Sequence, residues 1–65
     1  MSISLKQKIF VNLVLSHGGI VTLYSLNTAS FNKEKVQNII DLLAPCLEAH
    51  ITDTHIVKGF KLYSF

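Results

Sequence analysis

The chain contains no arginine and no tryptophan, a single cysteine and a single proline. Arginine is the commonest bidentate reader of guanine and the favoured stacking cation, so its absence weighs against strong recognition of a DNA sequence. All six positive side chains are lysines, which leaves contact with phosphates open. One cysteine, Cys46, forms no internal disulfide. The fold must therefore stand on packing alone and suits a reducing compartment, the cytoplasm by default.

Charge is scarce as well, at 15% of residues against 49% hydrophobic, a balance that excludes a disordered chain. No apolar run is long enough to span a bilayer. The longest, IFVNLVL at 9–15, follows Lys6 and Lys8 as the core of a signal peptide would. Asn12 interrupts it, however, and no small-residue cleavage site follows, so no membrane partner is expected. At 65 residues there is room for one domain and one core, near the lower size at which packing outweighs chain entropy. So apolar a composition in so small a body predicts exposed apolar surface, and with it a protein partner or a second copy.

Ser4-Leu5-Lys6-Gln7 fits a capping box, and Gly18-Gly19 supplies a left-handed stop, so the first helix is expected to run to about Ser16. It is apolar over most of its circumference, with only Lys8, Asn12 and Ser16 forming a clear polar strip. That breadth predicts a helix either wrapped by the rest of the domain or, the reading favoured for so short a chain, shared with a partner through Phe10, Val11, Val14 and Leu15. Ile20-Val21-Thr22 suits a short strand, followed either by a brief helix capped by Thr22 or by more strand to Leu26. Asn27 to Ser30 is turn material.

The next helix is the clearest element. Asn32 is a good N-cap, and Phe31 stands where it can pack on Val36 as a hydrophobic staple. Val36, Ile39, Ile40, Leu43, Cys46 and Leu47 share one face. Pro45 lacks an amide and disfavours helix at Ala44, so a kink or a restarted last turn through Glu48 is expected. From residue 51 onward, β-branched and aromatic residues surround Lys58-Gly59. This predicts a hairpin of strands at about 51–57 and 60–65, with Gly59 at a positive φ and a bulge where the alternation breaks.

The order of helix, short strand, brief helix, long helix and hairpin describes a small α+β domain. With HGGIVTLYSL feeding NKEKVQNIIDLL and then VKGF, it resembles the winged helix-turn-helix superfamily over most of its length. The second helix is short for that superfamily. The resemblance implies that the helix from Asn32 enters a major groove of double-stranded DNA and that the hairpin touches its backbone. Lys33, Lys35, Lys58 and Lys61 would then meet phosphates, while Gln37 and Asn38 approach bases. Glu34, Asp41 and Glu48 are also expected on that face, where a carboxylate is repelled by phosphate.

The remaining chemistry points away from catalysis. His17, His50 and His55 with Cys46 match no familiar zinc spacing, no thiol–base pair can be assembled, and Ser16-His17-Gly18-Gly19 lacks the residues of a phosphate loop. No metal, cofactor, small-molecule substrate or catalytic residue is expected. Tyr24, Phe31, Phe60, Tyr63 and Phe65 are candidate stacking platforms for single strands, though such aromatics are more often core. With Tyr63 and Phe65 exposed, the terminal strand would be a dimer edge or a binding surface. Two classes of function stand side by side: a small DNA-binding regulator acting as a dimer, and a protein-interaction module or subunit built on the same scaffold.

Overall fold

The computed structural model describes residues 4–44 and 46–63. In chain order the elements are α1 (Leu5–Ser16), β1 (Val21–Thr22), α2 (Leu23–Thr28), α3 (Lys33–Leu42), β2 (Leu47–Ile51) and β3 (Ile56–Leu62). The strands form one antiparallel sheet in the order β1-β3-β2. This is the expected α+β layout, with 20–26 resolved into a two-residue strand and a helix rather than one long strand.

Each helix start is set locally. Ser4 and Gln7 form the reciprocal capping box, Thr22 Oγ1 accepts the Ser25 amide, and Asn32 Oδ1 accepts the Lys35 amide at 2.8 Å. Helix ends are equally local. At the end of α1 the Gly19 amide donates to the Val14 carbonyl and the Gly18 amide to that of Leu15, the paired bonds of a Schellman turn. Gly18 takes the left-handed conformation this requires, at φ 75°. The end of α2 repeats the pattern: Phe31 N–H bonds to Leu26 O and Ser30 N–H to Asn27 O. Here a serine, Ser30, takes the positive φ of 68°.

Those turns fold three helices and the inner sheet face around one core. Phe10, Val14, Leu26, Val36, Leu43, Leu47 and Val57 are almost wholly excluded from solvent, each burial contributing about 1.5–3 kcal/mol before entropy is counted. The rings of Phe10 and Phe31 meet edge to face with centroids 5.8 Å apart. Phe31 and Val36, the staple residues, are both buried at the entrance to α3.

This core corrects the expectation for α1. Phe10, Val11 and Val14 are buried by the chain itself, at 0%, 2% and 0% exposure, and are not a surface for a partner. Even 65 residues suffice to bury that side of the helix, where Phe10 meets Phe31 of the turn before α3 and the three residues join one core cluster. Leu15 does stay half exposed, together with Ile9, and Leu5 is exposed.

The hairpin is also set differently from the expectation. Helix α3 stops at Leu42, and 47–51 is strand rather than a restarted helical turn. Leu47 thus reaches the core from β2, and Glu48 belongs to the sheet. The hairpin turn lies at 52–55, not at Lys58-Gly59. Gly59 does take a positive φ, 70°, but inside β3, where the register slips between Glu48/Lys61 and His50/Lys58. Gly59 and Phe60 there oppose Ala49 alone, a bulge whose left-handed residue is the glycine. Strand β3 runs between the other two, so the last strand is the centre of the sheet and not an edge. The kink expected at Pro45 and the exposure expected of Phe65 fall outside the described residues.

Candidate nucleic-acid interface

The expected contact residues divide by element. Lys33 and Lys35 stand exposed in the first turn of α3, and Gln37 and Asn38 on its later turns. Opposite the buried Val36, Ile39 and Ile40, the middle of the outward face is Glu34, Asn38 and Asp41, taken at about 100° per residue. Gln37 donates its side-chain amide to Asp41 Oδ1 at 2.9 Å. The face that the resemblance sends into a groove therefore carries two carboxylates, one of which occupies a base-reading candidate.

Lys58 and Lys61 are on the outer sheet face and not at a wing tip. Lys58 pairs with His50 and Lys61 with Glu48. The Glu48 carboxylate also accepts the Tyr63 hydroxyl, with Oε2 at 2.8 Å. That hydrogen bond, the nearby negative charge and slight desolvation together raise the Tyr63 pKa above its ordinary 10.0. Tyr63 is exposed, as expected of it, while Phe31 is core and Phe60 packs partly against the core. Of the aromatics considered for stacking, Tyr24 and Tyr63 are the exposed ones among the described residues.

The structure builds a different surface from parts the sequence leaves scattered. In the hairpin turn, His55 N–H bonds to Thr52 O and Thr52 N–H to Ile56 O. Thr52 Oγ1 meets Thr54 Oγ1 at 3.0 Å and accepts the Ile56 amide at 3.2 Å. His55 itself has a φ of 60°, and its carbonyl accepts the amide of Leu23 at 2.8 Å. The hairpin turn is thereby fastened to the first residue of α2. Next to this junction lies the start of α3, and Leu23, Tyr24, Asn27, Asn32, Lys33 and His55 line a concavity of ≈ 380 Å³.

Of the six lining residues, Tyr24, Asn27, Asn32, Lys33 and His55 carry hydrogen-bonding groups, and none is a carboxylate. Tyr24 is 80% exposed at its rim. Lys33 is the one residue of the lining expected from the sequence to meet phosphate. From the sequence Asn32 is expected as a cap and as a donor of the first helical turn, Tyr24 as a stacking platform, and His55 as a strand-end residue whose spacing fits no zinc site. The turn-forming run Thr52-Asp53-Thr54-His55 is the signal that places His55.

Among the described residues, no three His, Cys, Asp or Glu side chains stand close enough together to hold a metal ion. No described helix is long and apolar enough to cross a membrane. No family model, curated protein or solved structure matches the chain.

Proposed function

We propose that the chain is a winged helix-turn-helix domain that binds double-stranded DNA through the concavity between α2, the start of α3 and the 52–55 turn. The observation that carries this reading is the convergence of three elements on a lining whose surface is mostly apolar but whose polar residues include one lysine and no carboxylate, the exposed Asp53 of the same turn lying outside it. Helix order and the sheet order β1-β3-β2 support the scaffold. Contact is made by the end of α3 rather than along its side, because Glu34 and Asp41 would lose water and meet like charge in a groove.

In this arrangement Lys33 neutralises a phosphate, with Lys35 behind it on the same first turn. Tyr24, Asn27 and His55 offer hydrogen bonds to backbone oxygens and sugars, contacts that position a protein without reading sequence. With no arginine in the chain, affinity comes mainly from counterion release and falls with salt. The protein acts by association, in keeping with a small non-enzymatic regulator of a reducing compartment such as the cytoplasm.

A second reading, in which the same scaffold docks a protein, is favoured by the acidic middle of α3 and by exposed Leu5, Ile20 and Leu42. Fluorescence anisotropy with a mixed-sequence duplex separates the two. The DNA reading expects binding at low salt, and a Lys33→Glu variant that binds more weakly, with a salt slope shallower by about one. Absence of wild-type binding, or an unchanged slope in the variant, leaves the protein-docking reading in its place.

A further inference from the structure

Strand β2, Leu47-Glu48-Ala49-His50-Ile51, lies at an edge of the sheet. Proteins blunt such edges with lysine, proline or a bulge. Strand β2 has neither residue, and the extra residue of the bulge belongs to its neighbour β3. It is a regular five-residue strand.

Which of its peptide groups are free follows from the ladder. Tyr63 N–H donates to Cys46 O, and Thr52 N–H to Ile56 O. In an antiparallel pair the bonding residues alternate, so within the registers 48↔61 and 50↔58 it is Glu48 and His50 that turn their amides and carbonyls to β3. Those of Ala49 and Ile51 point away from the sheet, as does the carbonyl of Leu47, while the Leu47 amide is already taken by the carbonyl of Leu43 at 2.8 Å. The side chains divide the same way by face: Leu47, Ala49 and Ile51 toward the core, Glu48 and His50 toward solvent.

We propose that two copies of this chain pair through β2, antiparallel, about a two-fold axis at Ala49. That register sets the peptide groups of Ala49 against those of the partner's Ala49, and the Ile51 amide of each copy against the Leu47 carbonyl of the other. It also places Leu47 opposite the partner's Ile51, Ala49 opposite the partner's Ala49, and Glu48 opposite the partner's His50. The apolar residues extend the core face across the junction, and the small Ala49 sits on the axis. The carboxylate of Glu48 meets an imidazole at both symmetric positions, in the closely spaced, non-hydrogen-bonded kind of pair. Moving the axis to Glu48 would set carboxylate against carboxylate, and moving it to His50 would set ring against ring. The Ala49 axis is therefore selected by the residues themselves, since it alone sets a carboxylate acceptor against an imidazole rather than like against like. Glu48 accepts Tyr63 through Oε2, which leaves its other oxygen for the partner. The interface is isologous, the commonest closed form.

This proposal does not rest on DNA binding, and its test contains none. Sedimentation equilibrium of the whole chain should give a mass that rises with concentration toward twice that of one chain. His50→Glu opposes two carboxylates at each symmetric position and should raise the dimer dissociation constant about tenfold or more. Adding Glu48→Lys to that variant should restore pairing. Circular dichroism checks that the variants fold. Should His50→Glu fail to fold, residue-resolved hydrogen exchange of the wild type decides instead. In the dimer, the amides of Ala49 and Ile51 gain protection as concentration rises, while those of Glu48 and His50 are protected throughout by β3 and that of Leu47 by the Leu43 carbonyl. A wild-type mass fixed at one chain, a folded His50→Glu that associates as well as wild type, or exchange at Ala49 and Ile51 that ignores concentration would overturn it.

Discussion

The amide of Leu23 donates to the carbonyl of His55 at 2.8 Å, joining the first residue of α2 to the turn between β2 and β3. The bond crosses about half the sequence, and it makes the concavity a single surface. It continues the β1–β3 ladder, in which Thr22 pairs with Ile56, by one residue and so holds His55 beside Tyr24 and Lys33. Its geometry depends in turn on the core below, since β1 pairs with β3 at Val21↔Val57 and both valines are buried.

Phe10 tests that core. Phe10→Ala should cost about 3–5 kcal/mol, the usual cost of truncating a buried phenylalanine, from a total of about 5–15 kcal/mol. Urea denaturation should show a midpoint lowered by a large part of its wild-type value, or no folded baseline at all. A variant that keeps the wild-type midpoint while changing only its oligomeric mass would mean that Phe10 faces a partner after all.

Two glycines separate backbone strain from crowding. At Gly18, φ is +75° and a Cβ would meet nothing within 4 Å, so Gly18→Ala should cost only the left-handed conformation, about 1–2 kcal/mol. At Gly59, φ is +70° and a Cβ would lie 2.8 Å from the His50 ring. Gly59→Ala should therefore cost more than Gly18→Ala, and the excess should disappear when His50→Ala is present in the background. Thermal melts of the four variants measure both differences.

Tyr63 gives a prediction for pH. Neutral Tyr63 donates to Glu48 and the phenolate cannot, so the proton is held more tightly in the folded chain than in the unfolded one. The contact therefore contributes fully below the ordinary tyrosine value of 10.0 and is lost as pH rises through the raised folded value. Ultraviolet titration should show a late-ionising tyrosine that Tyr63→Phe removes and Glu48→Gln moves back toward pH 10.0. A Glu48→Gln chain with an unchanged titration curve would contradict the assignment.

The starts of α1 and α3 were legible in the sequence because their signals are local, whereas α2 stood as one of two alternatives and α3 stops at Leu42, short of the turn expected through Glu48. Ser4 with Gln7, Thr22, Asn32 with Phe31, and Gly18 with Gly19 each act within a few residues, and each is found in its expected place. The hairpin was legible in kind but not in position. Lys58-Gly59 and the 52–55 run are both turn-like, and a positive-φ glycine serves a bulge as readily as a turn. Which of them reverses the chain is decided at a distance, by pairing that buries Val57 against β1 and sets Leu47 opposite Leu62. The concavity was not legible at all, since it gathers 23–27, 32–33 and 55 through tertiary contact alone. The breadth of apolar residues on α1 was read as a partner surface, because periodicity cannot tell one's own core from another's.

The most direct test of the DNA-binding account is the amide chemical-shift map of the isotope-labelled chain titrated with a short mixed-sequence duplex at low salt. The account predicts that perturbations concentrate at Tyr24, Asn27, Asn32, Lys33 and His55, fade as salt rises, and spare Asn38 and Asp41 on the side of α3. Shifts confined to Lys58, Lys61 and the outer sheet face, or a spectrum that the duplex leaves unchanged, would contradict it.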